Sequence, residues 1–249
     1  MKIKLINKLK NFSVNLPGMK ELLVPLYYHF FRPKYFENSY QYWNERYKDG
    51  GTSGDGSFGK LSKFKADIIN SFILNNNPDC VVEFGCGDGN QLTLANYPSY
   101  IGLDISEEAI KICSELFKDD TSKKFILEKD YKENHDISIS LDVIYHIIED
   151  SIYENYMHKL FNSTNKFIII YSSNFDDNPK KHYNHVRHRK FTNWIEENAP
   201  KWKLTDYIRN EYPYNGEESQ TSLADFYFYK KHHTLNEEQN KETIIKEKY

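Results

Sequence analysis

The stretch Glu83-Phe84-Gly85-Cys86-Gly87-Asp88-Gly89 follows the apolar residues 80–82 and carries a glycine at every second position. A second apolar run, residues 100–103, ends in Asp104, 21 residues after Glu83. This order predicts a strand, a glycine turn, a helix, a parallel strand and a carboxylate at its end. Such an arrangement presents a nucleoside-bearing cofactor to the edge of a parallel sheet, with Asp104 accepting both ribose hydroxyls.

Alternating strands and helices extend from this stretch over most of the chain. Strands are predicted at 79–84, 100–104, 124–128, 137–141 and 167–171, and helices at 61–74, 90–96, 106–117 and 150–162. Two late strands, at about 202–211 and 224–230, have no helical pattern between them and predict an antiparallel hairpin. The predicted fold class is α/β, a Rossmann-like sheet of five parallel strands plus a C-terminal antiparallel hairpin, with helices on both faces.

The chain divides into three predicted parts. Residues 1–38 form an N-terminal helical extension, in which Ile3, Leu5, Ile6, Leu9 and Phe12 have helical spacing. We expect this helix to pack on the main domain, with a basic amphipathic helix on a membrane surface as the alternative. Residues 39–231 form the main domain, and residues 232–249 form a charged tail.

Composition narrows the class of protein. The 249 residues are ample for one large domain, and the net charge of −3 argues against a nucleic-acid partner. No apolar run approaches the ~20 residues of a membrane span. Cys80, Cys86 and Cys113 show no metal-type pairing, as is typical of a reducing cytoplasm. We therefore expect a cytoplasmic protein that acts on a small molecule, and the sequence does not specify its oligomeric state.

The spacing of the glycines indicates which cofactor binds. A dinucleotide site needs a third glycine where this chain has Asn90, which disfavours a nicotinamide oxidoreductase. Glu83 ahead of the glycines suits a cofactor with a positive centre and no phosphate. The stretch closely resembles motif I of class I methyltransferases, which implies S-adenosylmethionine as cofactor. A protein of this fold that binds the cofactor without turnover is the remaining alternative, and the presence of Asp142 and His146 argues against it.

The expected cofactor residues lie at the strand ends. Glu83, Gly85, Cys86 and Gly87 would surround the methionine part, Asp104 and Ile105 the ribose and one adenine face, and Leu141 the sulfonium, with Gln91 within reach. By resemblance to the family, Asp130 meets the adenine amino group and Tyr131 lies beside it. In the block Tyr42–Tyr47, Tyr42 and Arg46 are assigned to the cofactor, Arg46 pairing with its carboxylate or else with Glu45 or Asp49. The glycine-rich loop 50–59 is expected to cover the site.

Catalysis is expected in the segment after the fourth strand. His146 stands four residues after Asp142 and has a suitable pKa for a general base. Asp142 or Glu149 would orient His146, and Tyr145 would contact the acceptor.

A second polar cluster follows the fifth strand, with His185, Arg187, His188 and Arg189 predicted to bind an anionic acceptor. The alternatives are a solvated basic surface, or a metal shared by His185 and His188 with His146. Our prediction is that no metal binds.

Several blocks together resemble small bacterial methyltransferases of capsule and surface-polysaccharide gene clusters. They are the Tyr42–Tyr47 block with loop 50–59, residues 83–92, residues 140–146 and residues 185–189, and the resemblance spans about residues 40–230. It implies an O-methyltransferase whose acceptor is a phosphorylated or phosphoramidate group, or alternatively a sugar hydroxyl. The Arg/His cluster favours the phosphorylated class. The motif Asn-Pro-Pro-Tyr or Asp-Pro-Pro-Tyr is absent after Leu141, which disfavours methylation of nucleic-acid bases.

Overall fold

The computed structural model describes residues 36–178, 184–217 and 219–232. The predicted helix near the N-terminus and the tail beyond residue 232 lie outside the described residues, so both stay predictions. None of the described helices is long and apolar enough to cross a membrane.

Seven strands form one sheet in the order β3-β2-β1-β4-β5-β7-β6. Neighbouring strands are parallel from β3 to β5, whereas β7 runs antiparallel to both β5 and β6. The strands are β1 Val81–Phe84, β2 Tyr100–Asp104, β3 Lys123–Leu127, β4 His135–Leu141, β5 Thr164–Ser172, β6 Trp202–Ile208 and β7 Asp225–Lys231. The predicted fold class, five parallel strands followed by an antiparallel hairpin, is confirmed.

Five α-helices fall within the described residues: α1 Ser39–Lys48, α2 Gly59–Asn76, α3 Glu107–Leu116, α4 Asp150–Asn162 and α5 Phe191–Asn198. The two faces of the sheet bury separate apolar clusters, one with α2 and α3 and the other with α4 and α5. Strand β1 serves both clusters because its side chains alternate, with Val81 on the α2 face and Val82 and Phe84 on the other.

The prediction of a helix at 90–96 is wrong. Only a 3₁₀ turn, Gln91–Leu94, follows the glycine turn. Pro98 disfavours helical geometry at the residue before it. The side chain of Asn70 also bonds to the Leu94 carbonyl and the Asn96 amide, which ends the turn.

Helices α1 and α5 were not predicted. Helix α1 is capped by Asn38, the residue before it, whose side chain accepts a 2.8 Å hydrogen bond from the Gln41 amide. Strand β1 lies between β2 and β4, where the chain order reverses, and the carboxyl ends of these strands share one edge of the sheet. Ligands of doubly wound sheets bind at such a switch point.

Candidate active site

A cleft of about 880 Å³, its open mouth included, lies at this edge of the sheet. Its floor is the glycine turn after β1 and the ends of β2 and β4, and α1, with Trp43 and Tyr47, lies along its wall. Eight predicted cofactor residues line it: Glu83, Gly85, Cys86, Gly87, Gln91, Asp104, Ile105 and Leu141. Both residues expected to be catalytic, Asp142 and His146, line it as well.

The glycine turn is packed directly beneath loop 50–59. Ser53 and Asp88 exchange two hydrogen bonds: the Ser53 amide donates to Asp88 Oδ2 at 2.9 Å, and the Asp88 amide donates to Ser53 Oγ at 3.0 Å. At Gly87, where φ is +58°, an added Cβ atom would lie 2.2 Å from Ser53 Oγ and 2.9 Å from the Tyr47 hydroxyl. The turn therefore requires glycine at this position both for its backbone and for the close approach of the loop.

Two buried carboxylates, Glu83 and Asp104, face the cleft. Tyr100 donates a 2.6 Å hydrogen bond to Glu83 Oε2, and burial raises the pKa of Glu83 to about 7. Asp104 accepts the Gly87 amide at 3.0 Å and the Ser106 amide at 2.8 Å, while burial raises its pKa to about 6. A positively charged ligand would favour the ionised form of both groups.

Gln91 lines the cleft and carries an unpaired acceptor atom. Its Nε2 donates to the Ser62 carbonyl at 3.0 Å, which fixes the orientation of the amide. Its Oε1 is buried and has no hydrogen-bond partner among the described residues. A buried acceptor without a donor is costly, so a ligand that donates a hydrogen bond fits here.

Asp142 is held by two protein groups. Its Oδ2 lies 2.6 Å from Lys65 Nζ, and its Oδ1 accepts a 2.7 Å hydrogen bond from the Tyr145 hydroxyl. The expectation that Asp142 or Glu149 orients His146 is wrong, because neither carboxylate bonds to the imidazole. Glu149 instead accepts two hydrogen bonds from Ser39 at the start of α1.

His146 is oriented by a backbone carbonyl. Its Nδ1 lies 3.0 Å from the carbonyl oxygen of His185, and because a carbonyl only accepts, Nδ1 carries the proton. Its Nε2 then has a lone pair, and no hydrogen bond to it is found within the described residues. Burial lowers the pKa of His146 to about 4, and the nearby charge of Arg46 acts in the same direction. The ring also stacks on His185, 5.5 Å away at 14°.

Four residues predicted to bind the cofactor do not line the cleft: Tyr42, Arg46, Asp130 and Tyr131. Arg46 donates to the Thr52 carbonyl and, at 3.1 Å, to the Tyr42 hydroxyl, so it holds loop 50–59 and does not face the cleft. No ion pair with Glu45 or Asp49 is found among the described residues. Tyr42 stacks on the ring of His185 with 4.5 Å between centroids.

Strand β3 ends at Leu127, and the chain passes directly into a 3₁₀ turn, Glu128–Asp130, which changes the direction of the side chains that follow. Glu128 lines the cleft directly after the strand, whereas Asp130 is exposed. Tyr131 turns into the core and packs edge-on against Phe84, 6.1 Å between ring centroids.

The arginines of the cluster at 185–189 bind protein groups. Arg187 Nη1 lies 2.8 Å from Asp150 Oδ1 and Arg189 Nη2 lies 3.1 Å from the same oxygen. Arg187 also donates to the Ile148 carbonyl, and Arg189 to the carbonyls of Ile147 and Ile148. These contacts secure the start of α4, and the hydrogen bonds lower the pKa of Asp150. The expected anion site is therefore not formed by these two guanidinium groups.

The other residues assigned to the acceptor also lie outside the cleft lining. His188 is buried, with its Nδ1 2.7 Å from Ser173 Oγ, and Tyr145 is bound to Asp142. His185 lies between Tyr42 and His146 as described. Across the part of the chain that the structure describes, no three His, Cys, Asp or Glu side chains group as a metal site.

Sequence reasoning missed several residues that line the cleft: Trp43, Tyr47, Ser53, Lys65 and Glu128. For Lys65 a signal existed, because it stands four residues after Leu61 and four before Ile69 on the buried stripe of α2. A charged residue on a buried stripe indicates a special partner.

Residues 76–222, more than half of the chain, match the family model of a methyltransferase domain. The chain belongs to this family. Membership confirms the expected activity, that of an S-adenosylmethionine-dependent methyltransferase, over the nicotinamide alternative. No curated protein matches the sequence.

Solved methyltransferases share the fold. N-methyltransferase NodS from Bradyrhizobium japonicum WM9, in complex with S-adenosyl-L-homocysteine, has a TM-score of 0.60 at 11% identity, over 78% of this chain and 99% of NodS. Magnesium protoporphyrin IX methyltransferase (ChlM) from Synechocystis PCC 6803, with bound SAH, has a TM-score of 0.53 at 13% identity, over 85% and 99%. The methyltransferase domain of bacterial CtHen1 has 0.53 at 15%, over 68% and 97%. At these identities the likeness concerns the fold alone.

The lining of the methyltransferase cleft fits S-adenosylmethionine. This cofactor has a positive sulfonium, a positive ammonium and one carboxylate. Among the residues that the structure describes, the cleft offers four carboxylates, those of Glu83, Asp104, Glu128 and Asp142, against the single lysine Lys65. The unpaired Gln91 Oε1 is a further acceptor for an N–H donor.

Proposed function

We propose that this methyltransferase methylates a hydroxyl group of a small acceptor, with His146 as the general base. The observation that carries the proposal is the hydrogen bond from His146 Nδ1 to the His185 carbonyl. It directs the proton to Nδ1 and gives Nε2 the lone pair that a base requires. We further propose a role in bacterial capsule or surface-polysaccharide biosynthesis, supported by the resemblance of the sequence blocks described above.

The chemistry divides between cofactor and protein. S-adenosylmethionine supplies, when bound, a methyl group activated by its sulfonium. Asp104 would hold the ribose and Gly85 with Gly87 would approach the methionine part through their backbone. His146 Nε2 would accept the hydroxyl proton of the acceptor. With a pKa of about 4, His146 is neutral at pH 7, so the base form is fully present.

A low pKa also sets the timing of the proton transfer. A base this weak does not ionise a sugar hydroxyl in advance. We therefore propose that the proton moves to Nε2 as the new carbon–oxygen bond forms and the carbon–sulfur bond breaks, with the thioether as leaving group, since the acidity of the hydroxyl then rises sharply. The stacked ring of His185 and the edge-on ring of Trp43, 4.9 Å from His146, hold the imidazole for this step.

Of the two acceptor classes inferred from the sequence, the sugar hydroxyl has the better support. A phosphorylated or phosphoramidate acceptor needs cations, but Arg187 and Arg189 are bound to Asp150. Within the described part of the chain, four carboxylates and one lysine line the cleft, a balance that disfavours an anionic acceptor.

Two pools of acceptors and labelled S-adenosylmethionine test the proposal. One pool contains nucleotide-free sugars and the other contains phosphorylated or phosphoramidate metabolites. We expect label in the sugar pool. We also expect His146→Ala to lower turnover by at least roughly 10²-fold while the affinity for the cofactor is unchanged. His158→Ala, an exposed histidine on α4, is the matched control. Label confined to the second pool would contradict the acceptor class, and full turnover by His146→Ala would contradict the base.

A further inference from the structure

Lys65 places a buried ammonium group at the cleft. Its side chain is 1% exposed, and Nζ lies 2.6 Å from Asp142 Oδ2 and 5.3 Å from the centre of the Tyr171 ring. It is the one lysine or arginine among the described residues that line the cleft. Lysine is rarely buried to this degree unless its charge has a dedicated partner.

Asp142 satisfies only part of the bonding capacity of Lys65. An ammonium group has three N–H donors, and within the described residues Asp142 is its only hydrogen-bond partner. Asp142 itself is shared, since Tyr145 donates to its other oxygen. Two N–H donors of a buried cation thus remain to be satisfied, and a carboxylate that enters the cleft would satisfy both.

A hydrogen-bond acceptor is held against the same helix as Lys65. Gln91 Nε2 bonds to the Ser62 carbonyl, one turn before Lys65 on α2, and Gln91 Oε1 is buried without a partner. Glu83, on the same face of the sheet as α2, has its charge near Lys65, which opposes the rise in the pKa of Glu83. This end of the cleft therefore offers donors and acceptors together, as an α-amino acid group requires.

We propose that Lys65 binds the α-carboxylate of the cofactor's methionine part, while Gln91 Oε1 accepts a hydrogen bond from its ammonium. The inference rests on S-adenosylmethionine as the cofactor and does not depend on the acceptor. It gives Lys65 the role that the sequence suggested for Arg46, whose guanidinium holds Thr52 and Tyr42.

Calorimetric binding of two ligands tests the proposal without any turnover. The first is S-adenosylhomocysteine, and the second is its decarboxylated analogue, which keeps the ammonium and lacks the carboxylate. We expect the wild-type protein to bind the first roughly 10- to 100-fold more tightly, the usual range for a charged hydrogen-bonded pair. Lys65→Met should remove most of this preference by weakening only the first ligand, and Lys65→Arg should retain much of it.

Lys63→Met is the matched control, because Lys63 lies on the same helix with its side chain 72% exposed and paired with Asp67. It should leave both dissociation constants within about twofold of the wild-type values. Lys65→Met leaves Asp142 without its cation, so the double variant Lys65→Met/Asp142→Asn keeps the test valid if the single variant unfolds. The same loss of preference is expected of it.

Equal weakening of both ligands by Lys65→Met, or a preference retained by a folded variant, would overturn the role of Lys65 alone. A wild-type protein that binds S-adenosylhomocysteine without any preference over the analogue would do the same. A wild-type protein that binds neither ligand would overturn the cofactor assignment, and this inference with it.

Discussion

The imidazole of His146 donates from Nδ1 to the backbone carbonyl of His185 over 3.0 Å, so the tautomer of His146 is fixed by the main chain. Its pKa lies at about 4 because the ring is removed from water. A base with a lowered pKa stays unprotonated, and therefore active, to lower pH than a free histidine. We expect the single-turnover rate at saturating cofactor and acceptor to change less than about twofold between pH 8 and pH 5.5. An acid limb with a midpoint near 6.5 would contradict this assignment.

Cofactor binding should depend on pH through Glu83, whose pKa is raised to about 7, and Asp104, at about 6. A raised pKa means that protons compete with a cationic ligand as the pH falls through that value. Between pH 8 and pH 6 we expect the affinity for S-adenosylmethionine to fall by up to about twentyfold, of which about tenfold comes from Glu83 and about twofold from Asp104. Calorimetry at several pH values measures this change. In Glu83→Gln the affinity for the cofactor should fall only at the lower pH values at which Asp104 takes up its proton. If the pH dependence of binding were the same as in the wild-type protein, Glu83 would not be the group responsible.

Gly87 should be the least replaceable residue of the turn. In Gly87→Ala, the added methyl group meets Ser53 Oγ at 2.2 Å, so Ser53, which exchanges hydrogen bonds with Asp88, must shift. We expect the cofactor dissociation constant to rise by roughly tenfold or more, because the wall of the cleft shifts. Gly59→Ala is the matched control, since Gly59 has φ of +60° against +58° at Gly87 and nothing within 4 Å of its added Cβ atom. Equal effects of the two substitutions on binding would show that backbone strain alone is responsible.

Arg189 should contribute to stability and not to acceptor affinity. It is 9% exposed, bonds to two backbone carbonyls and Asp150, and lies 4.5 Å from the centre of the Tyr153 ring. Arg189→Met should lower the free energy of unfolding by about 2–4 kcal/mol, measured by urea denaturation. Arg209→Met, at an exposed position, is the control. A folded Arg189→Met with normal stability and a raised acceptor KM would restore the anion site that the sequence suggested.

The parts of the site within one strand–turn–strand unit were predictable. Glu83, Gly87 and Asp104 lie within 22 residues, and their positions follow from local chain geometry that the glycine spacing encodes. Glu128 was missed for a local reason, because the 3₁₀ turn that follows β3 directly, Glu128–Asp130, was not predicted.

Charge partners were not predictable, because packing brings together residues that are distant in sequence. Asp142 lies 77 residues from Lys65, and Asp150 lies 39 residues from Arg189. The cluster at residues 185–189 has the composition of an anion site. Only the fold shows that its arginines pair with a carboxylate of the protein itself. The same applies to Arg46, whose bonds to loop 50–59 depend on how that loop folds back.

The position of the transferred methyl group tests the central claim most directly. The product formed from ¹³C-methyl S-adenosylmethionine and the sugar pool can be assigned by NMR. We predict a methyl carbon bonded to oxygen with a three-bond coupling to a sugar ring proton, and a rate of formation of this product that is at least roughly 10²-fold lower with His146→Ala. A methyl carbon coupled to phosphorus, or bonded to nitrogen, would contradict methylation of a sugar hydroxyl.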